Sequence, residues 1–266
     1  MKTKSPLRYP GGKSRAVNKI TKYFPENLQT LISPFFGGGS IEIATAAKGV
    51  TVKGYDVFEP LVCFWQHLLH DRQALYAEVV KLHPMSRENF YNLQKSNPDM
   101  DYGVEKAAVF YALNRSSFSG STLSGGMSPN HPRFNLSNMQ TILNFEAPTL
   151  SVSRADFVTS ITQNSSDFMY LDPPYLLKDT ANNLYGVKGS THRNFDHETL
   201  KDIIKDRDNW LMSYNSGVSI LELYSDHPII TLDWQYGMSS EKSGREFLIA
   251  SKNLADIFPS DESRVC

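Results

Sequence analysis

The chain of 266 residues is 40% hydrophobic and 21% charged with a formal net charge of −1, a composition that describes an ordered globular protein with one sizeable core and room for a smaller inserted module. It excludes a strongly basic nucleic-acid binder and, with no apolar stretch of bilayer-spanning length, a membrane-spanning helix. Cys63 and Cys266 are too few for a disulfide framework or a cysteine zinc site, and Met1 to Pro6 lack an apolar signal core, so a reducing, cytoplasmic setting is expected.

The distribution of charge says more than its sum. Residues 1–25 carry Lys2, Lys4, Arg8, Lys13, Arg15, Lys19 and Lys22 and no acid, which offers a local basic surface. Gly12-Lys13-Ser14 resembles the end of a P-loop, but Leu7 stands where that motif needs its first glycine, so a nucleotide triphosphatase is not implied.

The first strand-turn-helix signature runs from Thr30 to Phe36, through Gly37-Gly38-Gly39-Ser40, into a helix over Ile41–Ala47. Glycines there let the backbone turn tightly and approach a ligand closely. Their spacing differs from the dinucleotide fingerprint, so a nicotinamide cofactor is not implied. An alternating strand, Val50 to Asp56, follows and ends in an acid. Asp56 falls about twenty residues after the glycine loop, where such an acid bonds a ribose diol. Residues 58–115 carry apolar positions at helical spacing, clearest over 61–69 and 105–113. His67 and His70 have no third ligand nearby, so no metal is expected. Asn114 to Asn138 reads as a long polar loop bearing Arg115, Phe118, Arg133 and Phe134, side chains suited to phosphate and base-edge contacts. Strands resume at Leu150–Ser153, followed by Ala155-Asp156-Phe157. Later strands are expected at 168–171, 210–215, 229–232 and 246–251, with a helix over about 196–207 between the first two of these. The alternation argues for a mostly parallel sheet with helices on both faces.

The chemistry is concentrated at Asp172-Pro173-Pro174-Tyr175, after the apolar run Phe168-Met169-Tyr170-Leu171. Two prolines cannot continue a ladder, so the strand ends there and displays a carboxylate, a carbonyl and an aromatic ring at its C-terminal edge. Asp172 and the Pro173 carbonyl can each accept one N–H of an exocyclic amine, freeing a lone pair otherwise delocalised into the base. Tyr175 can stack on the base, so catalysis would be positioning and electrostatics without a covalent intermediate.

Taken together these residues resemble the Dam-like, D12-class DNA adenine-N6 methyltransferases, over most of the chain and in family order. Tyr9-Pro10-Gly11-Gly12-Lys13 is similar to the signature that contacts the methionine part of S-adenosylmethionine. Phe35-Phe36-Gly37-Gly38-Gly39-Ser40 is similar to the donor-binding glycine motif, and Asp56 falls where the ribose-binding acid does. Leu113-Asn114-Arg115 through Phe118 and Gly120 resembles the segment that opens the DNA-reading region, and Gly244 to Leu248 resembles the closing strand.

The resemblance implies a Rossmann-like α/β methyltransferase fold, with a catalytic domain of residues 1–75 and 150–266 and a small, mainly helical target-recognition insertion at 76–149. It implies Asp172, Pro173 and Tyr175 as catalytic residues. Donor contacts are expected from Tyr9, Lys13, Phe36, Gly37, Gly39, Ser40, Asp56, Asp156, Phe157 and Asp172, and DNA contacts from Arg8, Arg115, Ser117, Phe118, Arg133 and Asn135. The expected substrate is double-stranded DNA, with adenine flipped out for methylation and S-adenosylhomocysteine as product. The resemblance leaves open a cognate restriction endonuclease as partner and a monomer or weak homodimer as the working form. One departure matters: the Asn-Leu-Arg-Gly-x-Phe-Asn type loop of GATC-reading members is absent between Gly120 and Phe134, which argues against a GATC target. Cytosine N4 is the alternative acceptor, using the same geometry, and a non-catalytic subunit is the alternative from another class. Cytosine C5 chemistry is disfavoured, because neither cysteine lies beside a proline as its nucleophile would need.

Overall fold

The computed structural model of the chain describes residues 4–128, 133–176, 195–235 and 243–258. Seven strands, β1 (Thr30–Ser33), β2 (Thr51–Asp56), β3 (Leu150–Arg154), β4 (Phe168–Leu171), β5 (Trp210–Asn215), β6 (Ile229–Gln235) and β7 (Ser243–Ala250), form one sheet in the order β3-β2-β1-β4-β5-β7-β6. The pairs from β3 through β5 are parallel, whereas β7 runs antiparallel to both β5 and β6.

Alternate residues of the central strands face opposite sides, and both sides are buried. Leu31, Tyr170 and Leu211 join one core cluster; their chain neighbours Ile32, Met169, Leu171, Trp210 and Met212 join the other. That is why Phe168 to Leu171 reads as an unbroken apolar run rather than an alternating one.

Parallel neighbours need helical crossovers, and the chain supplies them. α1 (Val17–Thr21) precedes the sheet, and α2 (Ser40–Ala46) joins β1 to β2. The β2–β3 connection is the long one, with α3 (Glu59–His70), α4 (Arg72–Lys81), α5 (Arg87–Ser96), α6 (Val104–Ser116) and α7 (Leu136–Leu143). Here α6 packs on α3 and α4, and α4 packs on α7. α8 (Phe157–Gln163), α9 (His197–Ile204) and α10 (Val218–Leu223) make the remaining crossovers. No helix among the described residues is long and apolar enough to cross a membrane.

Several expected boundaries move, each for a local reason. β1 stops at Ser33 rather than Phe36, because Pro34 has no ladder N–H. The helical stretch 58–115 is broken by its own caps: Asp71 accepts from Ala74 N at 3.2 Å to start α4, and Ser86 accepts from Asn89 N at 3.1 Å to start α5. The polar segment 114–138 is not loop throughout. α6 runs on to Ser116, and Asn135 caps α7 by accepting from Asn138 N at 2.9 Å. Ala155-Asp156-Phe157 lead into a helix, α8, which Asp156 caps.

Candidate active site

β1 and β4 are neighbours at the point where the strand order reverses, since the chain leaves β1 toward β2 on one side and β4 toward β5 on the other. Pairing of Leu31 with Phe168 and Ile32 with Met169 aligns the two strands, so their C-terminal ends open side by side. The glycine loop follows β1 and Asp172 follows β4. Their juxtaposition is dictated by topology, and this crevice is where open α/β sheets bind ligands.

Asp172 sits in a cluster of charged and hydroxyl groups drawn from four parts of the chain. Lys13, only 6% exposed, donates from Nζ to Asp172 Oδ1 at 2.7 Å, to the Tyr175 hydroxyl at 2.7 Å and to the Gly11 carbonyl at 3.2 Å. The same ammonium lies 3.6 Å from Glu246 Oε2 on β7. Ser213 on β5 donates to Asp172 Oδ1 at 3.0 Å, and the Tyr170 hydroxyl lies 2.8 Å from Ser213 Oγ. Below the glycine loop, buried Glu42 accepts from Ser33 Oγ at 2.7 Å, and burial pushes its carboxyl up to about 7. Pro173 is buried. The Tyr175 ring lies nearly parallel to Tyr214 at a centroid distance of 5.9 Å, and burial beside Asp172 holds its hydroxyl far above the usual tyrosine range.

The expected donor-side residues converge on the glycine loop, but by different means. Tyr9 lies over it so closely that a methyl group at Gly38 would fall 2.6 Å from Tyr9 Cβ, which explains why the loop has no side chains there. Asp56 accepts from Gly37 N at 3.0 Å and from Phe58 N at 2.9 Å. Burial raises its carboxyl, and with Val57 N as a third backbone donor the carboxylate still has room to accept from one more. Gly39 has φ +66 and leads into Ser40, the first residue of α2. Phe36 corrects its expected role: at 2% exposure its ring is packed on Gly54 and edge-on to Trp65, so the side chain supports the loop from the core. Asp156 is likewise engaged locally, accepting from Thr159 N at 2.7 Å as the cap of α8. Phe157 stacks on Phe35 at 5.8 Å, and Phe195 closes the aromatic trio at 5.1 Å from Phe157 and 5.6 Å from Phe35.

The expected DNA contacts divide in two. Arg115 is buried, donating from Nε to the Arg133 carbonyl and from Nη1 to the Pro6 carbonyl, so it fastens the loop to the N-terminal segment instead of meeting phosphate. Ser117 is fully buried between Asn114 and Thr122, and the Asn135 side chain is used as a helix cap. These three placements, unlike the expected contacts, have one cause: polar side chains in an irregular segment satisfy that segment's own backbone first. Arg133 and Phe118 remain exposed, Phe118 at 66%. Arg8 lies near enough to Arg115 and Arg133 that their charges, after its partial burial, lower its basicity.

The sequence reading did not single out Ser213, Glu246, Tyr214, Phe35 or Phe195 as site residues. Ser213, Tyr214 and Glu246 stand on β5 and β7, Phe35 just past the end of β1 and Phe195 just before α9, and no spacing rule links them to Asp172. Asn114, in the segment expected to open the DNA-reading region, is fully buried. It accepts from Arg8 N at 2.9 Å and donates to the carbonyls of Arg8 and Gly120.

Comparison with known proteins gives one consistent result. The model of the D12 class N6 adenine-specific DNA methyltransferase family matches residues 9–238. The chain is 25% identical over 231 residues to the type II methyltransferase M.CviBI of Paramecium bursaria Chlorella virus NC1A, covering 83% of this chain and 86% of that one. It is 23% identical over 264 residues to the type II methyltransferase M1.LlaDCHI of Lactococcus lactis subsp. cremoris, covering 90% of each. A DNA adenine methylase of Vibrio cholerae is 26% identical over 214 residues, 74% of each chain.

Proposed function

The chain belongs to the D12 class of N6 adenine-specific DNA methyltransferases, and we propose that the corner from Asp172 to Tyr175 is where its acceptor amine is held. The enzyme transfers a methyl group from S-adenosylmethionine to adenine N6 in DNA, with the base turned out of the duplex. The carrying observation is the alignment of the glycine loop with Asp172 at the β1/β4 reversal.

The residues at this crevice fit the donor. A glycine loop kept bare by Tyr9 and a carboxylate on Asp56 with room for one more donor suit an adenosine diol, and the aromatic trio around Phe157 suits a purine face. S-adenosylmethionine supplies an electrophilic methyl on a sulfonium sulfur. Tyr9, Gly37, Gly39, Ser40, Asp56 and Phe157 hold it, and Lys13 joins that side of the pocket to Asp172.

Asp172 accepts one hydrogen of the adenine amine and the Pro173 carbonyl the other, which draws the nitrogen toward tetrahedral geometry. Tyr175 presents its ring to the base, and Tyr214 supports it from behind. Positive charge growing on N6 then faces a fixed carboxylate, the interaction that strengthens most between ground and transition state. Replacing Asp172 by Ala is expected to abolish transfer and leave DNA binding intact, as read by methyl incorporation and a mobility-shift titration.

Residues 76–149 serve as the target-recognition insertion on a catalytic domain of residues 1–75 and 150–266. Arg8 and Arg133 meet phosphate, and Phe118 is the apolar side chain free to enter the base stack. The type II relatives favour a cytoplasmic role as the modification arm of a restriction system, with a cognate endonuclease as partner. The missing GATC-type loop favours a different target. One protein copy reading one duplex site is the simplest working form.

A further inference from the structure

Resting on that reading of Asp172, we infer that Ser213 and Tyr170 are positioning residues that decide which carboxylate oxygen meets the adenine amine. Tyr170 lies on β4 and Ser213 on the adjacent parallel strand β5, both at 1% exposure. A serine hydroxyl has a single hydrogen. It is directed at Asp172 Oδ1 at 3.0 Å, so at the 2.8 Å contact with Tyr170 the tyrosine must donate. Burial pushes the Tyr170 hydroxyl well above its usual range and so keeps its proton in place. The result is a one-way chain: Tyr170 donates to Ser213, and Ser213 donates to Asp172.

Lys13 Nζ reaches the same Oδ1 at 2.7 Å. Both lone pairs of that oxygen are then occupied, while among the described residues Oδ2 takes no hydrogen bond. The carboxylate is locked in rotation with one oxygen committed to the protein and the other presented to the crevice. A merely structural role explains the pair poorly. Two hydroxyls inside an apolar core carry a desolvation cost, which Val and Phe of similar shape would avoid. Their hydrogen bonds lead to the catalytic carboxylate and end there.

The test compares Ser213→Ala, Ser213→Thr, Tyr170→Phe and the double variant Ser213→Ala/Tyr170→Phe, with Asp172→Ala as reference. Single-turnover methylation, KM for DNA and S-adenosylmethionine binding are measured for each. Ser213→Ala is expected to slow the chemical step by roughly 10- to 100-fold, as loss of orientation does, with donor and DNA binding changed less than about 2-fold. Ser213→Thr, which keeps the hydroxyl, restores most of the rate. Tyr170→Phe gives a smaller loss alone and none on top of Ser213→Ala, because its effect passes through that serine. A wild-type rate in Ser213→Ala, or a full additional loss from Tyr170→Phe in the double variant, would overturn the inference. So would weakening of donor binding in step with the rate. If Asp172→Ala itself retains transfer, the reading of Asp172 fails instead; if it is inactive while Ser213→Ala is not, only the orientation role fails.

Discussion

Glu42 shows how a single residue of this site sets a measurable property. It is 3% exposed, and burial raises its carboxyl from 4.5 to about 7 despite the hydrogen bond from Ser33. The folded protein therefore binds this proton more tightly than the unfolded chain does. Stability from this group is full below the unfolded value of 4.5 and falls as pH rises toward 7. The loss is on the order of 3 kcal/mol once both states are ionised. Glu42→Gln removes the titration, so its melting temperature is expected to gain on wild type as pH rises across that window. Parallel thermal melts at several pH values check it; a constant difference between the two proteins would contradict it. At this scale the sequence was legible where chemistry demands residue types in a row, as in Asp172-Pro173-Pro174-Tyr175 and Gly37-Gly38-Gly39. It was illegible where partners meet through space. Lys13 and Asp172 are a hydrogen-bonded ion pair 159 positions apart in the chain, and Ser213 carries no mark that sets it apart from any other strand serine.

At the scale of elements, the junction at Asn114 links the N-terminal segment to the proposed DNA-reading segment. The carboxamide ties the backbone of Arg8 to the turn after α6, and Gly120 presses against that same backbone. At Gly120, φ is +77 and a methyl group would lie 2.2 Å from the Arg8 carbonyl oxygen, a backbone atom that cannot step aside. Gly120→Ala is therefore expected to cost about 1–3 kcal/mol of stability from backbone strain and overlap. It should also weaken DNA binding by displacing Arg8 and Phe118, and weaken S-adenosylmethionine affinity by a smaller factor, because Tyr9 follows Arg8 in the chain and lies over the glycine loop. Urea denaturation with paired ligand titrations measures all three; equal weakening of both ligands would contradict the separation. Periodicity revealed the central elements well, and the strand from Trp210 to Asn215 was located to the residue. α7 and α8 escaped because their start signals, Asn135 and Asp156, sit in polar surroundings that read equally as turns. A capping carboxylate or carboxamide and a ligand-binding one have the same letter in a sequence. Arg115 and Ser117, expected at DNA, are buried against the backbone around them, a placement that their letters do not mark.

Across the whole molecule, a net charge of −1 has to coexist with a polyanionic substrate. Of the acid-free first 25 residues, Arg8 lies close to exposed Arg133, which under the proposed reading gathers positive charge where DNA is met. DNA affinity should fall steeply with salt, and Arg133→Ala should reduce the slope of log K against log salt by about 1 if this guanidinium releases one counterion. An unchanged slope would remove Arg133 from the phosphate contacts. One reversal of strand order brings the glycine loop and the Asp172 corner, proposed as the donor and acceptor sides, to a single edge of the sheet. The most direct test is incubation with tritium-labelled S-adenosylmethionine and unmethylated genomic DNA, followed by separation of the nucleosides. Label in N6-methyladenine is the predicted result, lost in Asp172→Ala; label in N4-methylcytosine, or its persistence without the Asp172 carboxylate, would contradict the account.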